Sequence, residues 1–223
     1  MKLFLFHAKR RWYILIPCAL VMLLYLAIQP WEPNTTILTS VEIPLALVFG
    51  VFCSFTLTNP AEIELCQYRG FPPSRVLTAQ ILPIYLGGAV SISVTLAAYQ
   101  FADPVTTNQR LAYILTPFVT VAFAVAANTF IRVLIRNSYA TVFFSMLLLF
   151  FPLNAFHSQL GAIKGWAVEM FFDPGLSAYL FYKQWDVTIP RFIVNRVIFL
   201  ALAVVFYIAA CRLADRRSFE DFK

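Results

Sequence analysis

The sequence predicts an all-α integral membrane protein with six transmembrane helices, and three observations lead there. Hydrophobic residues make up 61% of the chain and charged residues 13%, where soluble domains carry roughly 45–50% and about 25%. Six apolar runs of about 17–23 residues recur along it, each long enough at about 1.5 Å per residue to cross a hydrocarbon core of roughly 30 Å. Basic residues gather beside alternate ends of those runs, as they do where a membrane protein retains its cytoplasmic loops. A mean hydropathy of +0.75 leaves no room for a large soluble domain, so 1–223 forms a single transmembrane unit.

The runs fall at 12–28, 42–58, 77–99, 111–131, 139–156 and 194–211. Backbone N–H and C=O groups in lipid must be satisfied within their own segment, which makes each run a helix. Pro17, Pro44, Pro83, Pro117 and Pro152 would each kink or start one. The first run comes after Lys2, Lys9, Arg10 and Arg11 in the manner of a secretion signal. It is too long for one, however, and Gln29-Pro30-Trp31 gives no small-residue cleavage site. It is read as a retained span.

Two intervening segments stay outside the core. The stretch 59–80 holds Glu62, Glu64, Arg69 and Arg75, and burying four charges at about 3 kcal/mol each is prohibitive. The stretch 157–192 has apolar pieces at 166–172 and 176–185, too short to span, joined by Asp173-Pro174-Gly175. Re-entrant or interfacial helices on the extracytoplasmic side are expected there. With the N-terminus inside, twelve of the 17 basic residues lie on the inner face. The other five, Arg110, Lys164, Lys183, Arg191 and Arg196, lie outside. Six spans return the C-terminus to the cytoplasm, and the cell membrane is the expected location.

Several chemistries are missing from the sequence. None of the seven glycines belongs to a Walker phosphate loop, so the chain has no ATPase site of its own. None of the eleven acids falls in mid-span, where an ion-coupled pump would keep one; Arg132 can snorkel from the inner end of the fourth run. Cys18, Cys53, Cys66 and Cys211 form no CxxC pair and are read as apolar packing residues, with no metal site. The net charge of +6 is spread beside the runs rather than in a nucleic-acid-binding patch.

The most informative stretch is 59–76, Asn-Pro-Ala-Glu62-Ile-Glu64-Leu-Cys-Gln-Tyr-Arg69-Gly70-Phe71-Pro-Pro-Ser-Arg75-Val. Asn59-Pro60 is a helix start, Glu62 and Glu64 suit a first turn, and Gly70 with Pro72-Pro73 ends the helix sharply. With six spans, a basic N-terminal segment and short helices before the last span, this pattern resembles the permease subunits of ABC type-2 exporters over nearly the whole chain. The resemblance implies that 59–76 is a cytoplasmic coupling helix docking on an ATPase subunit, through Glu62, Glu64, Arg69, Gly70, Phe71 and Arg75. It also implies an interfacial segment at 1–11, presenting Lys2, Lys9, Arg10 and Arg11.

The same resemblance implies the function: ATP-driven movement of a lipophilic or amphipathic cargo (peptide, antibiotic or lipid). The partners would be a second permease, identical or homologous, and an ATP-binding-cassette ATPase that alone binds ATP and Mg. Polar positions inside spans are the candidate path: Ser54, Ser91, Ser93, Thr95, Thr120, Asn128 and Ser145. Each also suits plain helix–helix hydrogen bonding. A non-transporting scaffold or sensor is the alternative. An intramembrane protease is a weaker one: Gly175-Leu176-Ser177 resembles a rhomboid serine motif, but His7 and His157 both precede it. Glu64 and Arg69-Gly70 resemble the CAAX-protease motif without its paired glutamates.

Overall fold

The structure, a computed structural model, describes residues 9, 48–51, 68–100, 107–135, 137–145 and 185–216. Side chains are described at 9, over 48–51, 68–94, 116–135 and 137–145, at 193 and over 196–216. Four helices carry the description: α1 Pro73–Gln100, α2 Thr107–Ile135, α3 Ser138–Ser145 and α4 Trp185–Asp215. A further helical turn lies at 48–51, and no strand occurs among the described residues. Among the described residues three windows are long and apolar enough to cross a membrane: Pro73–Val94, Thr116–Ile135 and Arg196–Asp215. They coincide with the third, fourth and sixth predicted runs. The first run, most of the second and fifth, and 146–184 lie outside the described residues.

The helices outrun their apolar windows. α1 has 28 residues, α2 29 and α4 31, or about 42–46 Å at 1.5 Å per residue. α1 continues through Pro83 and α2 through Pro117; a proline without its N–H weakens the ladder there but does not end either helix. α4 starts at Trp185, nine residues before its apolar run. The end of the expected re-entrant segment is therefore the first two turns of a long helix.

α2 is the centre, packed against both α1 and α4. Its contact with α4 keeps one register throughout. The Phe123 ring meets Phe199 edge-on at 4.7 Å, and Phe130 stacks on Phe206 at 5.6 Å. The Arg196 Nη1 donates to Thr120 Oγ1 at 2.6 Å, across a sequence separation of 76. Each of these pairs has that same separation, so α2 and α4 run parallel. Phe123 and Phe130, like Phe199 and Phe206, are seven residues apart, the spacing of a shallow left-handed crossing. Small residues let the remaining turn come close: a Cβ on Gly50 would lie 2.9 Å from Ala124 O, and one on Gly88 2.7 Å from the Phe49 ring.

α1 is antiparallel to α4. Its start lacks an N-cap side chain, because Pro72 and Pro73 occupy the cap and first helical position. Pro72 O accepts from Arg75 N and Val76 N, and the Ser74 N–H donates to Asp215 Oδ1 of α4 at 2.9 Å. Asp215 thus caps another helix. At the C-terminus of α4 its charge opposes the local dipole, and at the N-terminus of α1 it is favoured. One turn in, Thr78 Oγ1 lies 2.7 Å from Ser74 O and 2.6 Å from Tyr207 Oη. Thr78 has one proton and gives it to the carbonyl, so Tyr207 donates to Thr78.

The outer faces are apolar. Leu82, Leu86, Val90 and Val94 form an exposed stripe on α1, and Val197, Leu200, Val204 and Ile208 form one on α4. Only 22% of the α4 window is buried against 56% for α1 and α2. A water-soluble monomer does not leave such stripes bare; three apolar helices with greasy outer faces are consistent with a membrane protein.

Removing the shared cap tests this packing. Asp215→Ala should lower stability by about 1 kcal/mol, and Asp215→Asn by less, since asparagine also caps. Thermal unfolding of the purified chain in one detergent measures both.

Candidate functional site

α2 carries a row of buried polar side chains: Thr116, Thr120, Asn128, Thr129 and Arg132. Most turn back on their own helix. Thr120 Oγ1 donates to Thr116 O at 3.3 Å, Asn128 Nδ2 to Ala124 O at 2.8 Å and Thr129 Oγ1 to Val125 O at 2.7 Å. Such local bonds offset the cost of placing hydroxyls and amides in an apolar interior.

Two arginines break that pattern. Arg196, 6% exposed, is the first residue of the α4 window. Its guanidinium donates to Thr120 and lies 5.9 Å from the Phe199 ring centroid, so a hydroxyl and an aromatic face share its solvation. The apolar runs alone make it an outer flanking charge; in the fold it belongs to the helix interface. Arg132 is 2% exposed, and neither its Nε nor its Nη1 makes a hydrogen bond. It does not snorkel: α2 runs on to Ile135, and α3 packs back against that end.

Asn128 lies one turn before Arg132 on the same side of α2. It is fully buried, with its Nδ2 against Gly50, and its Oδ1 accepts no bond. Buried carbonyl and guanidinium groups left open are costly. α2 therefore presents an open acceptor and an open cation one turn apart. Such a pair can hold a group that both accepts and donates.

The candidate path residues do not form one surface. Thr120 and Asn128 are buried on α2, and Ser145 on α3 is buried with its Oγ unbonded. Ser93 is buried on α1, whereas Ser91, two residues away and so on the opposite side of the helix, is only half-buried. The Thr95 side chain and Ser54 lie outside the described residues. Of the coupling set, Arg69 and Gly70 are exposed, and Phe71 is half-buried under Arg75, whose guanidinium is 5.3 Å away. Gly70 has φ +69°, the left-handed conformation expected of a helix-ending glycine. Glu62 and Glu64 lie outside the described residues, as do Lys2, Arg10 and Arg11; Lys9 is helical and exposed.

Sequence reasoning missed the Asp215–Ser74 and Tyr207–Thr78 bonds, which join residues 141 and 129 apart. No local signal marks such pairs. It also missed Asn137, whose Oδ1 accepts from Tyr139 N at 2.9 Å and Ala140 N at 3.1 Å to cap α3. Asn-Ser before an apolar run is a readable start signal. Among the described residues no three His, Cys, Asp or Glu side chains gather as metal ligands would.

These features define a class, a helical bundle with membrane-compatible outer faces and a central apolar helix that carries several buried polar side chains. No family model, no curated protein and no solved structure matches the chain.

Removing the open arginine and removing the hydroxyl that serves the other should have opposite effects. Arg132→Met removes an open charge and should raise stability by about 1–2 kcal/mol, a burial cost of about 3 kcal/mol reduced by its place near the favourable C-terminal dipole. Thr120→Val strips a bond from Arg196 and should lower stability by about 1.5–3 kcal/mol. Chemical unfolding in mixed micelles reads both signs.

Proposed function

We propose that this chain is the transmembrane permease subunit of an ATP-binding-cassette exporter of the type-2 class, embedded in the cell membrane. It crosses six times, with both termini cytoplasmic. It pairs with a second permease, identical or homologous, and is driven by an ATPase chain that holds ATP and Mg. The cargo is lipophilic or amphipathic, a peptide, antibiotic or lipid.

The observation that carries this reading is the junction where 59–76 meets the bundle. Gly70 makes a left-handed turn, Pro72-Pro73 stiffens the backbone after it, and α1 begins at once. The first two turns of α1 are tied to the last part of α4 through Asp215 and Tyr207. A push on the coupling segment would reach α1 and α4 together and, through the aromatic register, α2. That suits a loop through which an external motor rocks a helix bundle.

The helix directions agree with six spans. Parallel α2 and α4 require an odd number of crossings between them, and the predicted fifth run beginning at α3 supplies one. The shared end of α1, α2 and α4 holds Arg69, Arg75, Arg132, Arg212 and Arg216, which favours a cytoplasmic position for it under the positive-inside rule.

Co-purification of an ATPase with the full chain provides the test. Glu62→Lys with Glu64→Lys, or Arg69→Glu, should cut cargo-stimulated ATP hydrolysis at least about tenfold, a loss of roughly 1.4 kcal/mol of coupling. An intact chain that retains no ATPase points instead to a membrane scaffold or sensor.

A further inference from the structure

We propose that the groove between α1, α2 and α4 is a binding site for one acyl chain of an anionic phospholipid, whose phosphate sits at the arginines beyond its polar end. The groove encloses about 280 Å³. Alanines make the room: Ala122 and Ala126 on α2 and Ala203 on α4, where larger residues would close it. It extends along α1 from Thr78 to Tyr85, about 10 Å at 1.5 Å per residue. Its rim residues Leu82, Leu200 and Val204 are 38–49% exposed, so it opens sideways, where hydrocarbon surrounds the bundle. A helix about 10 Å across cannot enter a space of this size; a single alkyl chain can.

The ends of the groove differ. Thr78 and Tyr207 place their bonded hydroxyls at one end, at the depth where a lipid's ester groups would lie. Beyond them, Arg75, Arg212 and Arg216 are exposed. The nearby carboxylate, Asp215, already accepts from the α1 backbone. This end is therefore cationic and the groove apolar, the complement of an anionic lipid rather than of a peptide helix or a free anion. Burying an alkyl chain gains nothing from leaving water, because it comes from lipid. Selectivity must then come from the headgroup, at roughly five-fold per arginine near the surface. The site does not depend on transport or on an ATPase.

The test is native mass spectrometry of the full chain, extracted from vesicles of equal phosphatidylglycerol and phosphatidylcholine. The expected result is one phosphatidylglycerol retained roughly a hundredfold over phosphatidylcholine, about five-fold for each of the three arginines. Arg75→Gln with Arg212→Gln should cut that ratio about 25-fold, to about five. Leu82→Trp at the rim and Ala203→Leu inside the groove keep every charge, yet should lose the bound lipid; the rim variant guards against misfolding of the inner one. Soluble glycerol 3-phosphate should not displace the lipid. Equal retention of the two lipids, wild-type retention in the well-folded Leu82→Trp variant, or displacement by glycerol 3-phosphate would each overturn the proposal, the last two by reducing it to surface charge or a simple anion site.

Discussion

The fixed register between α2 and α4 constrains everything else in the bundle. Phe123 on Phe199, Phe130 on Phe206 and Thr120 on Arg196 all repeat one offset. Seven-residue spacing brings each contact back to the same seam, so a slip of one residue would lose all three together. Aromatic rings suit this role in lipid, where helices gain nothing from expelling water and must associate by packing and oriented contacts. The parallel direction of the two helices is a consequence of the register.

At the basic end the physics is that of helix termini. A helix beginning Pro-Pro has no side chain to occupy its free N–H groups. A carboxylate on the last residue of α4 faces the wrong dipole at home and the right one across the gap. Asp215 resolves both problems with one bond. Tyr207 and Thr78 extend the contact one turn deeper, with Thr78 serving as donor to its own helix and acceptor from α4. Polar bonds of this kind specify which helices meet and in which direction, a task that surrounding lipid cannot perform.

Local patterns revealed the three long helices because length and apolar content are properties of contiguous residues. The windows at Pro73–Val94, Thr116–Ile135 and Arg196–Asp215 fall where the apolar runs predict them. The start of α4 did not show, since 185–193 mixes apolar with charged residues and a helix leaving the hydrocarbon needs no apolar pattern. Gly70 was legible because a glycine closing a short helix is the residue that most readily takes a left-handed turn, and Pro72-Pro73 bars the helix from continuing. Arg196 was not: its role depends on Thr120, far along the chain, and hydropathy alone treats any arginine at the end of a run as a flanking charge. Ser91 and Ser93 show the opposite failure, being alike in type and close in sequence but separated by helical geometry.

Arg132 lies near the end of α2 and Arg196 against its middle, and the bundle treats them differently. Arg196 has a hydroxyl and a ring beside its guanidinium and serves the α2–α4 seam, although its Nε makes no hydrogen bond. Arg132, with Asn128 behind it, keeps polar atoms open while nearly excluded from the surface. A purely structural arginine would be expected to resemble the first, because an open buried charge only subtracts from stability.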